Sequence, residues 1–153
     1  MRQRIRRWIH ETEGSNLIET ALLSLVLMPM LVGAVDYGRA YYIAIELTAA
    51  AHAGAMYGSQ NPTDTGGMET AAQMNATDVA ITATAMSSCE CYDGSASACT
   101  AAFDACPDTG NPVRLVQVTA SATYTPMLSL FLDFIHLSSS IPLSAQAQMR
   151  AAY

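Results

Sequence analysis

From Leu17 to Val35 the chain runs nineteen residues with a single charge, Glu19. At ~1.5 Å rise per residue, a helix of that length reaches roughly 28 Å, about one hydrocarbon core of a bilayer. A carboxylate in such a segment costs about 2–3 kcal/mol near the bilayer centre and less toward an end. A charge placed there is usually paired. Any reading of the chain therefore has to give it one long helix fit for lipid and a partner for Glu19.

The charges around this run set its direction. All seven basic residues are arginine, and Arg2, Arg4, Arg6 and Arg7 precede the run, whereas only three arginines follow Gly14 against eleven acidic residues. This asymmetry predicts a cytoplasmic N-terminus and an exported remainder. The acidic balance argues against a nucleic-acid partner. A secretory signal peptide is a rival reading, since Val32-Gly33-Ala34 has the form of a cleavage site. Two features oppose it. Glu19 interrupts the early apolar region, and Tyr37, Tyr41, Ala44, Thr48, Ala51 and Ala55 continue a helical spacing past Ala34. The expected helix spans Ser15 to about Tyr57, with Gly58 and Asn61-Pro62 closing it. Pro29 removes a backbone donor in mid-span and is expected to kink or loosen the helix there.

Gly14 and Glu19, followed by the apolar run and then Asp36-Tyr37-Gly38-Arg39-Ala40-Tyr41-Tyr42, resemble the start of TadE-like proteins. These are minor pilins or pseudopilins of the tight-adherence (Flp, type IVb-like) pilus machinery. The resemblance covers residues 13–58, including the small-residue run from Ala49 to Gly58; beyond that it is one of layout only. It implies removal of a basic leader, residues 1–14, by a prepilin peptidase, leaving Ser15 as the new N-terminus and Glu19 as its fifth residue. Glu19 is then the assembly charge, answered by a freed amine. The implied partners are other pilin-like subunits, the assembly platform, the peptidase and the inner membrane, and the implied roles are pilus biogenesis, adhesion and biofilm formation. Thr20 stands where major Flp pilins carry an aromatic, which favours a minor role over the filament body.

The layout divides into a membrane span at 17–35, a stem at 36–58 and an exported part at 59–153. Asp36, Tyr37, Arg39, Tyr41 and Tyr42 are placed for the outer membrane interface, with Asp36 and Arg39 close enough in sequence to pair on its surface. The small residues Ala40, Ala44, Thr48, Ala51 and Ala55 permit close approach, either by the domain's own core or by another stem. A second helix is expected at 68–86 from the spacing of Met68, Ala72, Ala76, Val79, Ala83 and Met86. Strands are expected at 113–125 and 140–151 from strict alternation, with Pro142 at a strand start or on an edge. Between the strands, Leu128, Phe131, Phe134 and Ile135 mark either a capping segment or an apolar contact patch.

Cys89, Cys91, Cys99 and Cys106 lie in a loop at 89–110 rich in turn residues. Export makes disulfides the expected state, and the Cys-x-Cys opening without nearby histidine disfavours zinc. Of three pairings, the nested one, Cys91–Cys99 inside Cys89–Cys106, is the expectation, because Cys89–Cys91 needs a strained ring. His10, His52 and His136 fall in separate segments, and no phosphate loop, redox Cys-x-x-Cys or nucleophile motif is present. No cofactor, small-molecule substrate or enzymatic activity is expected. The whole reads as an α+β, pilin-like subunit: a long transmembrane helix, a second helix, a disulfide-bonded loop and a two- or three-stranded antiparallel sheet. Two other classes remain: a single-pass anchor displaying a small binding module, or a domain released by signal peptidase.

Overall fold

The computed structural model describes residues 13–99, 106, 112–127, 129 and 140–151. The expected leader lies almost wholly outside these residues, as does the patch Leu128, Phe131, Phe134 and Ile135. The first helix, α1, spans Glu13–Gln60 and runs through Pro29. It ends three residues beyond the expected Tyr57, with the Asn61 amide donating to the Tyr57 carbonyl at 3.0 Å. Pro62 follows at once, and the residue before a proline disfavours helix. The chain divides into two compact units at Gly38, part-way along this helix. In the first unit, the large apolar side chains from Leu17 to Val35 are exposed, except the half-buried Val32. The helix is long and apolar enough to cross a membrane.

The second unit, Arg39–Tyr153, joins the outer part of α1 to a short helix and a sheet. Helix α2 spans Thr65–Asn75 and is capped by Asp64. The Gly67 amide donates to Asp64 Oδ1 at 2.9 Å, and the Tyr57 hydroxyl donates to Asp64 Oδ2 at 2.8 Å. The Gly67 amide, and after it the Tyr57 hydroxyl, hold the Asp64 carboxyl below its ordinary range. A depressed carboxylate stabilises the fold above its unfolded-state value, and that contribution disappears as pH falls through the folded value. Asp64→Ala is therefore expected to lower the melting temperature slightly at pH 7 and by a smaller margin near pH 2. Thermal melts of both chains at the two pH values check this.

Residues 68–86 do not form one helix. α2 stops at Asn75, and Thr82–Glu90 is a strand, β1. The alanines satisfy a helical period and a strand period equally, so Ala83 fitted the helical spacing by composition alone. Thr82-Ala-Thr-Ala alternates as a strand does, and Thr packs well on a pleated surface. The outcome was settled by β3, Val113–Tyr124, which pairs antiparallel with β1 from Thr82↔Ser121 to Glu90↔Val113. The Ala85 amide, on the edge of β1 away from β3, donates to Glu69 Oε1 on α2 at 3.1 Å.

Two further strands complete an antiparallel sheet of order β2-β1-β3-β4, one strand more than the largest expected sheet. β2 is the two-residue Ala96–Ser97, and β4 is Ile141–Arg150. β3 and β4 keep close to the expected bounds and the expected faces. Val116, Val118, Ala120 and Tyr124 are buried, and Leu143, Ala145, Ala147 and Met149 are half-buried. Pro142 sits second in an edge strand, where a missing donor does least harm.

The core is small and alanine-rich. One cluster gathers Ala55, Met68, Ala72, Ala83, Val116 and Val118; the other gathers Leu47, Ala50, Ala51, Ala76 and Ala120. Its largest fully buried side chains are Leu47, Met68, Val116 and Val118, each worth about 1.5–3 kcal/mol of burial.

Candidate functional site

Three features carry the site expectations: the lipid-fit segment of α1, the stem beyond it, and the cysteine hairpin. Along the first, Glu19 stands one turn after Ser15 and is exposed, as are its apolar neighbours Leu17, Ile18, Leu22 and Leu23. Pro29 interrupts the backbone ladder in the middle of this segment. Each buried peptide donor or acceptor costs free energy if left open, so the helix is weakest where Pro29 removes one.

The expected interface residues separate by face. Tyr37, Tyr41 and Tyr42 are exposed, but Asp36 is only 8% exposed and does not lie on the open surface. Arg39 places its guanidinium carbon 5.8 Å from the centre of the Tyr124 ring at the end of β3, a cation–π contact. Tyr42 donates to Asp78 Oδ2 at 3.2 Å, which, with the nearby Glu46, raises the Tyr42 hydroxyl above its ordinary value.

The stem's small residues also divide. Ala51 and Ala55 belong to the second unit's own core, together with Leu47 and Ala50, which the spacing argument did not single out. Gly54 and Gly58 lie on the same buried face, and Met68 approaches both. The missed signal was Ala50-x3-Gly54-x3-Gly58, a spacing of small residues that lets backbones meet. Ala44 and Thr48 face elsewhere, and with Tyr41, Ile45, Ala49 and His52 they line an open groove along the stem.

All four cysteines are paired, Cys89 with Cys99 and Cys91 with Cys106. The pairing is crossed, which corrects the nested expectation. The turn after β1 explains why Cys89 reaches Cys99. Cys91 N–H donates to the Ser95 carbonyl at 2.8 Å, and Gly94 N–H donates to the Cys91 carbonyl at 2.9 Å. Gly94 takes φ +83°, a left-handed value that side chains resist. β2 then runs back along β1 with Cys89 opposite Ser97, two residues short of Cys99. Asp93 Oδ1 accepts from both the amide and the hydroxyl of Ser95, which holds its carboxyl below the ordinary range. Among the described residues, no three His, Cys, Asp or Glu side chains gather to hold a metal ion.

Together these features define a class: an α+β module with paired disulfides, mounted on one long helix apolar enough to cross a membrane. Residues 14–56 match the model of the TadE-like protein family, so this stretch, the greater part of α1, is similar to TadE-like proteins. No curated protein matches the chain, and no solved structure does.

Proposed function

We propose that the chain is a minor pilin or pseudopilin that supports assembly of a tight-adherence fibre, and through it surface adhesion. The observation that carries this reading is Glu19 near the start of a helix that runs unbroken from the lipid-fit segment into the exported core. An ordinary anchor has no use for an acid in its span. A subunit that is cut after Gly14 gains one: the Ser15 amine of one copy and Glu19 of a neighbour form a pair that offsets desolvation and sets the axial stagger. The N-terminus lies in the cytoplasm, the span crosses the inner membrane, and the second unit is exported. No step of this role needs a catalytic group or a cofactor.

Substituting Gly14 is expected to leave the full-length form, whereas Glu19→Ala is processed normally yet fails to enter pili. Immunoblot mobility with pilus counts reads both effects, and a Glu19→Ala strain with normal pili refutes the pairing. N-terminal mass spectrometry separates this role from the other classes. Ser15 identifies a pilin-like subunit, Met1 a plain anchor carrying a binding module, and a residue near Val35 a domain released by signal peptidase.

A further inference from the structure

We propose that the exported domain is a client of a thiol–disulfide isomerase, because its crossed disulfides are mostly not the ones its cysteines form first. The proposal rests on the exported reading of this unit. The native bonds join residues 10 and 15 positions apart. Two competing bonds, Cys99–Cys106 and Cys91–Cys99, close shorter loops of seven and eight positions, and both are non-native. The closure probability of a flexible chain falls with roughly the three-halves power of loop length. Weighted that way, and with the strained Cys89–Cys91 ring left out, roughly two of every three first bonds are wrong.

A preformed hairpin would correct this bias, but the hairpin here is too slight to form early. Among the described residues, β2 meets β1 at Cys89↔Ser97 and Glu90↔Ala96, and an isolated two-stranded hairpin is marginal in water. β1 is held chiefly by β3, which begins at Val113, after the last cysteine. In a chain threaded outward from its N-terminus, all four thiols meet the oxidising compartment before β3 does. The bonds therefore form on coil statistics, and the sheet later selects among them.

The chemistry balances without a further oxidant at the correction step. A disulfide-carrying oxidase first takes four electrons and four protons from the four thiols. An isomerase thiolate then attacks one sulfur of a wrong bond, for example Cys91–Cys99, and forms a mixed disulfide while the other cysteine leaves as thiolate. Protein thiolates exchange until Cys89–Cys99 and Cys91–Cys106 stand, and the isomerase departs with its thiol restored. No net oxidation occurs in this exchange.

The test is to express the full chain in an oxidising periplasm, with and without the host's disulfide isomerase, and to map its bonds without reduction. A protease that cuts after Glu and Asp separates the cysteines at Glu90, Asp93 and Asp104. With the isomerase, the crossed pairs are expected throughout. Without it, their share is expected to fall to roughly a third, with Cys91–Cys99 and Cys99–Cys106 bonds making up the loss. An unchanged yield of crossed pairs overturns the proposal. The double variant Cys91→Ala/Cys106→Ala keeps a single native pair and has nothing to exchange. Its oxidation is expected to ignore the isomerase; equal dependence overturns the proposal by making the enzyme a mere holdase. Four free thiols in the wild-type chain would instead show that the unit is not exported, and the proposal falls with that reading.

Discussion

Gly54→Val is expected to unfold the second unit, Arg39–Tyr153, at a much lower urea concentration than the wild-type chain. A Cβ at residue 54 meets the Met68 carbonyl oxygen at 2.7 Å, Val118 Cγ1 at 3.0 Å and Ala72 Cβ at 3.2 Å. The nearest of these atoms is α2 backbone, which cannot swing aside like a side chain. Two effects oppose each other in the milder Gly54→Ala. Helix propensity favours alanine by about 1 kcal/mol, whereas overpacking a tight site costs about 1–3 kcal/mol. Overpacking wins where the obstacle is backbone, and valine adds two methyl groups in the same space. Gly38→Ala is the control, since nothing lies within 4 Å of a Cβ there and only the propensity gain remains. Urea titration of the full chain in detergent, followed by tyrosine fluorescence, reads all three. If Gly54→Val unfolds with the wild-type midpoint, the stem and α2 do not meet at this residue.

Leu47→Ala carries the second large effect. Leu47 is fully buried in a cluster with Ala50, Ala51, Ala76 and Ala120, against which Ile43, Ile81 and Leu143 pack. Truncating a buried leucine costs about 2–5 kcal/mol, the loss of its burial plus the cavity it leaves. Ile45→Ala, two residues away on the exposed side, is expected to change stability by less than about 0.5 kcal/mol. Equal effects at the two positions would mean that the stem lies outside the core of the second unit. Since a domain of this size is stable by about 5–15 kcal/mol, the loss at Leu47 is a large part of the total. The second half of α1 is thus core as much as stem.

How far each element could be read in advance depended on how many periods its residues satisfied. β3 and β4 alternate large apolar with polar residues, a pattern that fits only a half-buried strand. The stretch from Ala76 to Met86 is mostly alanine and threonine, and alanine fits a helix face and a sheet face alike. Its strand state comes from the partner β3 supplies. The stem shows the same contrast. Ala51 and Ala55 were legible as a close-packing face, but the choice between own core and another stem needed the sheet to be in place. Of the candidate site, Gly14, Glu19 and Pro29 are local features with a chemical meaning at their own positions. Asp36 is not, because its burial depends on what the fold puts around it.

From the sequence alone it followed that one helix is fit for lipid, that a lone acid sits near its start, that arginine is concentrated before it, and that two strands alternate. These follow from transfer free energies and from periods of 3.6 and 2, which act residue by residue. Only the tertiary structure decided that residues 82–90 pair as a strand, that Leu47 and Gly54 seat the stem on the sheet, and that Cys89 meets Cys99 rather than Cys106. Each of those is a choice among partners distant in the chain. Cross-strand register and packing volume settle it, and neither quantity exists until the elements are brought together.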